Sequence, residues 1–289
     1  LVGRPPVSPV PQSRPMSTSS QLNCVADWPG EQYRLIDFGA GRKLESFPGQ
    51  LPDRPSPPAL DAPRRRVDAW SQAIVVDDDG GRQAGTGGLS EGRADEWQLQ
   101  FQSLRFTLKL TPFGHVGLFP EQLCCWRWLT EQIGAPEWSQ PPEALNLFGY
   151  TGGSTLVMAL AGARVVHVDA SAPAVKWARH NAAASQLANY PIRWIVDDAR
   201  KFVQREIRRG RRYDVIVLDP PSYGHGPTGK PWDIQHDLPA LLEDVVGLFR
   251  SPKAAILLIT GHSDAPGPGQ ISSFLSALGL RQVENGRFR

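Results

Sequence analysis

The residues best suited to chemistry lie in two short turns, and each turn follows an apolar stretch. The first is the run 149–153, whose glycines let the backbone approach a ligand closely. The second is Asp219-Pro220-Pro221. Its prolines lack backbone N–H groups, which leaves carbonyl oxygens free to accept from a substrate amine, and Asp219 adds a carboxylate acceptor. The turns predict a site that holds a ligand against the backbone and orients an amine.

Alternating strands and helices are expected to position these turns. Residues 144–148 form an apolar run of strand length, residues 154–161 have helical composition, and residues 165–168 are apolar and β-branched. This order is typical of a β-α-β unit with a right-handed crossover. The glycine-rich turn then lies at the carboxyl edge of the first strand, where open α/β sheets bind ligands.

Two further side chains of this unit are expected beside the same crevice. Asp169 ends the second strand, where its carboxylate could accept hydrogen bonds from ribose hydroxyls, and Ser154 is placed to cap the intervening helix. A dinucleotide-binding turn would read G-x-G-x-x-G, whereas this turn reads F-G-Y-T-G-G-S from Phe148. The pattern therefore disfavours NAD as the ligand.

Four motifs in this chain resemble those of class I S-adenosylmethionine-dependent methyltransferases, specifically the group of the bacterial 23S ribosomal RNA large-subunit methyltransferases I and K/L. The matched segments are N-L-F-G-Y-T-G-G at 146–153, D-A-S at 169–171, Asp198, and D-P-P-S-Y at 219–223. Gly149 stands where that family's first motif has serine. The resemblance covers residues 111–279 and implies a doubly wound, mostly parallel Rossmann-like methyltransferase sheet, an α/β fold, with S-adenosylmethionine as cofactor.

The resemblance also assigns roles to individual residues. It implies a cofactor site made of Phe148, Tyr150, Thr151, Gly152, Ser154, Asp169, Ser171, Asp198 and Asp219. It implies a catalytic group made of Asp219, Pro220, Pro221 and Tyr223. Asp219 would orient the accepting atom, and Tyr223 would stack on a base extruded from RNA. The expected partner is RNA, in particular ribosomal RNA, and the expected catalysis is mainly positioning because the sulfonium methyl is already activated.

The expected acceptor is a nitrogen, with guanine favoured over other bases. Enzymes that methylate cytosine C5 first add a cysteine thiolate to C6. Relatives of that type carry the thiolate after the fifth strand in a sequence like S-C-S, whereas this chain reads T-G-H-S at 260–263, with His262 available near the site. Three alternatives stay open: C5 chemistry by Cys124 or Cys125, a substrate other than RNA, and a non-catalytic RNA-binding protein that retains a cofactor pocket.

Composition limits the class of protein. The chain has 289 residues and a formal net charge of +2, so attraction to nucleic acid must come from local clusters. Its cysteines, Cys24, Cys124 and Cys125, include no C-x-x-C pair, which argues against a metal site or a disulfide framework and fits a reducing compartment. No apolar run approaches the ~18 residues of a membrane span. We expect a soluble, cytoplasmic protein without a metal; the oligomeric state is not predicted.

The chain divides into three predicted parts. Residues 1–21 are rich in proline and serine and predict a disordered tail, with translation beginning at Met16. Residues 22–110 predict a small β-rich domain, with strands at 33–38, 73–76, 97–101 and 105–110 and loops at 47–63 and 77–92. Residues 111–289 predict the methyltransferase domain, which lacks the closing C-terminal hairpin of its relatives and would leave a sheet edge exposed.

The segment 111–122 joins the two domains and resembles one that approaches the cofactor in the family. Glu121 and Gln122 match its pattern, whereas Leu123 stands where many relatives keep arginine. This departure removes the charge that the family pattern would place there.

Several cations could contact phosphate groups. In the N-terminal part they are Arg42, Lys43, Arg54, Arg64, Arg65 and Arg66, and after a predicted helix at 200–209 they are Arg205, Arg208, Arg209, Arg211 and Arg212. The second group could equally complement the dipole of the helix end. Residues 224–231 predict a mobile lid, with Lys230 as a phosphate ligand and His225 as a base.

Overall fold

The computed structural model describes residues 27–76, 82–84, 96–111, 114–135, 138–225, 231–251, 255–261 and 265–280. Its strands are β1 (Arg34–Gly39), β2 (Arg42–Ser46), β3 (Pro52–Pro55), β4 (Ile74–Val76), β5 (Arg82–Ala84), β6 (Glu96–Phe101), β7 (Leu104–Lys109), β8 (Glu143–Leu147), β9 (Arg164–Asp169), β10 (Ile192–Val196), β11 (Val215–Leu218), β12 (Tyr223–His225), β13 (Pro231–Asp233) and β14 (Ile256–Ile259). Its α-helices are α1 (Val67–Trp70), α2 (Leu123–Ile133), α3 (Gly153–Leu160), α4 (Ala172–Ala184), α5 (Ala199–Arg208), α6 (Ile234–Val246) and α7 (Pro268–Ala277).

Five parallel strands form the central sheet, in the order β10-β9-β8-β11-β14. The chain moves outward from β8 through β9 to β10, and then returns to place β11 on the other side of β8. The loops after β8 and β11 therefore separate at their carboxyl ends and leave a crevice, which is where such sheets bind ligands. Both turns expected to do chemistry follow these two strands. The predicted doubly wound parallel sheet is confirmed.

Helices cover both faces of this sheet. Successive strand residues point to opposite faces, so Val165 joins the core with α2, α3 and α4, whereas Val166 joins the core with α5, α6 and α7. Leu156 of α3 and Phe202 of α5 are buried at 0% and 1% exposure in these two layers. The result is a sheet buried on both sides, as parallel sheets require.

The N-terminal part forms a second sheet in the order β1-β2-β3-β4-β5. Neighbouring strands are antiparallel except for β3 and β4. The expected β-rich character is present, but the prediction of continuous loops at 47–63 and 77–92 is wrong, because β3 and β5 lie within these segments. Prolines occupy both ends of β3, where a strand tolerates them.

The hairpin of β6 and β7 connects this part to the central sheet. Thr107 of β7 donates its backbone N–H to Asn181 and accepts from the indole of Trp177, both on α4, at 2.9 and 2.8 Å. Trp28, near the start of the described chain, belongs to the same hydrophobic cluster as α2 and α3. Residues on both sides of position 110 thus share one core, and the division into domains at that position stays a prediction.

No helix in the described ranges is both long and apolar enough to cross a membrane. The predicted tail, the translation start at Met16, and residues 281–289 at the C-terminus lie outside the residues that the structure describes.

Candidate active site at the carboxyl edge of the sheet

The loop between β8 and α3 has an unusual backbone. Phe148 and Tyr150 adopt left-handed conformations with φ of 57° and 48°, and Gly152 follows with φ of 91°. Non-glycine residues rarely adopt this region, and such strain clusters at ligand sites. Gly152 is also the N-cap of α3, which carries no side-chain cap. The expectation that Ser154 caps this helix is therefore wrong, because Ser154 lies inside the first turn.

Asp169 at the end of β9 holds this loop. Its two carboxylate oxygens accept the backbone N–H groups of Tyr150 and Ser171, each at 2.8 Å. Burial raises the pKa of Asp169, and these two hydrogen bonds oppose the rise. The hydroxyl of Ser171 caps α4 by accepting from the N–H of Ala174 at 3.3 Å. Two acceptor positions of the Asp169 carboxylate remain for a ligand, since a carboxylate has about four.

Gly149 lies against a buried histidine on β9. A Cβ atom at Gly149 would lie 2.4 Å from Cε1 of His167, a distance that real structures do not tolerate. Nδ1 of His167 is 2.8 Å from Oγ1 of Thr155, which accepts from Asn146 at 2.8 Å. Burial lowers the pKa of His167 to about 3, so the ring is neutral. The ring thus occupies the space of the serine side chain that the related motif carries.

Gly149→Ser should destabilise the protein by about 1–3 kcal/mol, the usual cost of overpacking a core. The added side chain would collide with the His167 ring, and Gly149→Ser combined with His167→Val should recover most of the loss. Chemical denaturation of both single variants and the double variant measures the coupling between the two positions. Additive effects would contradict the proposed packing of Gly149 against the ring.

The pH dependence of stability tests the burial of His167, and denaturation of the unmodified protein and of His167→Val at several pH values measures it. The unfolded histidine takes up a proton at its ordinary pKa of 6.5, whereas the folded one does so only at about 3. The folded state therefore loses stability as pH falls from about 6.5 to about 3, and this loss should be smaller in His167→Val.

Asp219 follows β11 directly, and two distant residues hold its carboxylate. Nε2 of Gln122 donates to Oδ2 at 2.6 Å, and Oγ1 of Thr260 donates to Oδ1 at 2.7 Å. Gln122 lies just before α2 and Thr260 just after β14, and both are buried. A carboxylate that accepts from a fixed donor on each oxygen has a defined orientation.

The rest of the D-P-P turn departs partly from expectation. The carbonyl of Pro221 accepts the indole N–H of Trp232 at 2.7 Å, so it is not the free acceptor that the prolines predicted. The Trp232 ring also packs on Phe148, with 5.0 Å between centroids. Pro220 is buried, and Tyr223 is 73% exposed, as a stacking surface requires.

The cysteines beside the site are poor nucleophiles. Burial, reinforced by the charge of nearby Asp219, raises the pKa of Cys125 to about 12. Cys124 is disulfide-bonded, a bond that the argument against a disulfide framework did not anticipate. Neither residue offers a thiolate at neutral pH.

The two turns enclose a cleft, and it contains several of the expected residues. Those lining it are Phe148, Tyr150, Thr151, Ser154 and Asp219. The cleft also contains side chains to which no individual role was assigned, namely Leu118, Phe119, Gln122, Trp126 and Asn146. The first three lie in the segment 111–122, which was expected to approach the cofactor. Burial raises the pKa of Tyr150 to about 12, so its phenol stays neutral.

A family model for S-adenosylmethionine-dependent methyltransferases matches residues 62–251, more than half of the chain. The chain belongs to this family. The methyltransferase therefore uses S-adenosylmethionine as its cofactor, and the expected enzyme class and cofactor are confirmed. A solved S-adenosylmethionine-dependent methyltransferase from Agrobacterium tumefaciens is 38% identical, with a TM-score of 0.77, over 84% of this chain and 77% of the other. A candidate methyltransferase from Streptococcus mutans shares the fold at 14% identity and a TM-score of 0.67, over 87% of this chain and 66% of that one.

Curated relatives include the ribosomal RNA large subunit methyltransferases K/L of two organisms. The Pseudoalteromonas atlantica protein is 32% identical over 50% of this chain and 20% of its own length. The Alteromonas mediterranea protein is 31% identical over 63% of this chain and 24% of its own length. The matched region of the methyltransferase thus spans a quarter or less of these relatives.

The cleft fits the cofactor by its own chemistry. It combines a backbone loop with short side chains, aromatic walls, and one buried indole N–H, on Trp126, that has no partner in the described part of the chain. The lining does not include Gly152, Asp169, Ser171 or Asp198, which the resemblance also assigns to the cofactor site. Asp198 caps α5 by accepting from the N–H of Lys201 at 3.0 Å. The individual binding and catalytic roles stay predictions.

Other expected groups fall outside what can be described. The structure does not describe most of the predicted lid, which includes Lys230 and the side chain of His225. It does not describe His262 either. Among the described residues there is no group of three or more His, Cys, Asp or Glu that could hold a metal ion.

The arginine cluster at the end of α5 lies away from the cleft. The helix begins after the carboxyl end of β10 and returns to the opposite edge, where β11 starts. Ten residues of helix span about 15 Å. Arg205 pairs with Asp197, and Arg209 lies 3.2 Å from Glu206. This placement favours a role at the helix end over contact with a substrate in the cleft.

Proposed function

We propose that this methyltransferase transfers a methyl group to a nitrogen of a ribosomal RNA base, with guanine favoured. The observation that carries the proposal is the Asp219 carboxylate beside the cleft, held on both oxygens by Gln122 and Thr260. An anionic acceptor fixed in this way can take a hydrogen bond from the N–H of an amine. The nitrogen would then be oriented toward the cofactor, whose sulfonium supplies an electrophilic methyl group.

Two observations support RNA as the substrate. The curated relatives carry names that specify ribosomal RNA, although the matched region covers only a quarter or less of their length. Tyr223 is exposed at the rim of the D-P-P turn, where a base leaving its stack could rest on the ring. A ribosomal RNA substrate also supports a cytoplasmic location.

Cytosine C5 is the weaker alternative. That reaction needs a thiolate beside the cofactor, and burial raises the pKa of the Cys125 thiol to about 12. At neutral pH such a thiol is almost fully protonated. The chemistry of the site therefore supports an acceptor that is already nucleophilic, as an amine nitrogen is.

The deciding experiment uses methyl-labelled cofactor and ribosomal RNA that lacks modifications. Mass spectrometry of the digested RNA should find the label on a base nitrogen. Label in 5-methylcytidine that disappears in Cys125→Ala would contradict the proposal. Cofactor binding without transfer to any RNA would favour a non-catalytic RNA-binding protein, and label on another class of molecule would favour a different substrate.

The N-terminal cations provide a candidate contact surface for RNA phosphates. Arg42 and Arg54 are committed to ion pairs with the buried acids Asp53 and Glu45. Arg64, Arg65 and Arg66, in contrast, are exposed. The buried carboxylate of Asp37 fixes the last two by accepting both of their backbone N–H groups at 2.8 Å. We propose that this arginine triplet contacts RNA phosphates.

Replacing Arg64, Arg65 and Arg66 by alanine should weaken RNA binding and flatten its dependence on log salt by roughly 0.7 for each single-strand phosphate that is no longer neutralised. The matched control replaces three exposed arginines of the α5 end, Arg208, Arg211 and Arg212. That variant loses the same charge and should keep the salt dependence of the unmodified protein. Equal effects in fluorescence anisotropy titrations would show that only net charge matters.

A further inference from the structure

Trp126 carries a hydrogen-bond donor for which the described chain offers no acceptor. Its Nε1 is buried without a partner among the described residues, and the side chain is 2% exposed. The ring is fixed in place, because it stacks on Phe106 at 5.5 Å and packs edge-on against Trp28 at 6.1 Å. A buried N–H without an acceptor is rare in folded proteins and needs a specific explanation.

The nitrogen-bearing edge of this ring faces the start of α3. A Cβ atom at Gly153 would lie 2.6 Å from Cζ2 and 3.3 Å from Cε2 of Trp126. Cε2 is bonded to Nε1, and Cζ2 is the next carbon along the same edge. Trp126, Gly153 and Ser154 all line the cleft. The unpartnered donor therefore lies beside the cleft, next to the first turn of the helix.

The first turn of α3 favours an anion at the same place. The helix begins at Gly153 and has no side-chain cap and no acidic residue in its first turn. Its first N–H groups cannot bond within the helix, and the dipole places partial positive charge there. Gly153 has no Cβ, and the Trp126 ring packs into that space, so the indole edge lies directly beside this first turn. One acceptor with negative charge would satisfy both sets of donors.

We propose that Trp126 donates its Nε1–H to the methionine carboxylate of S-adenosylmethionine. The carboxylate is the only anionic group of the cofactor, and the N-terminal N–H groups of α3 complete its surroundings. No cation is supplied one turn earlier on α2, because Leu123 is apolar and fully buried.

Trp126→Phe removes the donor and keeps an aromatic ring in the core. Calorimetry should show S-adenosylhomocysteine binding at least about tenfold more weakly, as expected for a lost hydrogen bond to a charged group. Binding of 5′-methylthioadenosine, which lacks the amino-acid part, should not change. The matched control is Trp97→Phe, because Nε1 of Trp97 is also unpartnered in the same core but does not line the cleft.

Unchanged affinity for S-adenosylhomocysteine in Trp126→Phe, or equal weakening of both ligands, would overturn the assignment. A second measurement uses the unmodified protein, so it does not depend on whether a variant folds. In the unmodified protein labelled with ¹⁵N-tryptophan, one indole N–H resonance should shift on adding S-adenosylhomocysteine and stay in place on adding 5′-methylthioadenosine. If no indole resonance distinguishes the two ligands, the proposal is wrong.

Discussion

Asp219→Asn should lower kcat for methyl transfer by about 100-fold, the size of effect that a small misplacement of a reacting group produces. Asparagine keeps the volume of the side chain but loses the negative charge and one of the acceptor oxygens that Gln122 and Thr260 hold. The acceptor amine would then lack its anchor beside the cofactor. Single-turnover assays with the RNA identified by label mapping measure the step directly.

Thr260→Val gives a graded control for this prediction. It removes one of the two donors to Asp219, with little change in side-chain volume, and should lower kcat less than Asp219→Asn does. Calorimetry should show that both variants retain S-adenosylmethionine. An unchanged kcat in Asp219→Asn would show that Asp219 has no role in methyl transfer. If cofactor affinity fell by the same factor as kcat, Asp219 would be a binding residue only.

Asp169→Ala should weaken S-adenosylmethionine by about 1.5–3 kcal/mol, the range for a hydrogen bond to a charged group. The carboxylate supports the loop through the N–H of Tyr150 and has acceptor positions left for the ribose hydroxyls. Calorimetry measures the change, and thermal melting checks that the variant is folded. An unchanged dissociation constant would exclude this role.

The pH dependence of binding gives a second test of Asp169. Burial raises its pKa, so protonation begins at a higher pH than for an ordinary aspartate. The carboxylate is the better acceptor, so cofactor affinity should fall as pH decreases through this raised pKa, and the fall should be absent in Asp169→Ala. Asp214→Asn, at the start of β11 on the opposite edge, should keep the pH dependence of the unmodified protein.

The central fold could be predicted because its signals are local. The glycine-rich turn, the apolar strands and the helical segments each lie within one short window, and the helix predicted at 154–161 is α3, Gly153–Leu160. The strand β3 could not be found in the same way. Its proline-rich sequence is typical of a loop, and only pairing with β2 and β4 makes it a strand.

Site residues that belong to one local motif could be predicted from the sequence. Contacts between segments far apart in the sequence could not. Phe148, Tyr150 and Asp219 follow from local patterns and lie at the cleft. Gln122 is 97 residues from Asp219, and nothing in its neighbourhood of the sequence indicates that hydrogen bond. The hydrogen bond from Trp232 to the Pro221 carbonyl could not be predicted either, because it depends on how the segment after the turn folds back.

The left-handed residues of the loop after β8 set a limit on engineering for heat resistance. Each such non-glycine residue costs of order 1–3 kcal/mol, and Tyr150→Gly would relieve this backbone strain. The same change would remove a ring that packs on Phe119 and Trp177 and lines the cleft, so it should lower both stability and turnover. Gln102 and Gln186 share the same backbone strain at φ of 53° and 60° but do not line the cleft. Selection for higher thermal stability should therefore replace Gln102 or Gln186 by glycine and leave the loop after β8 unchanged.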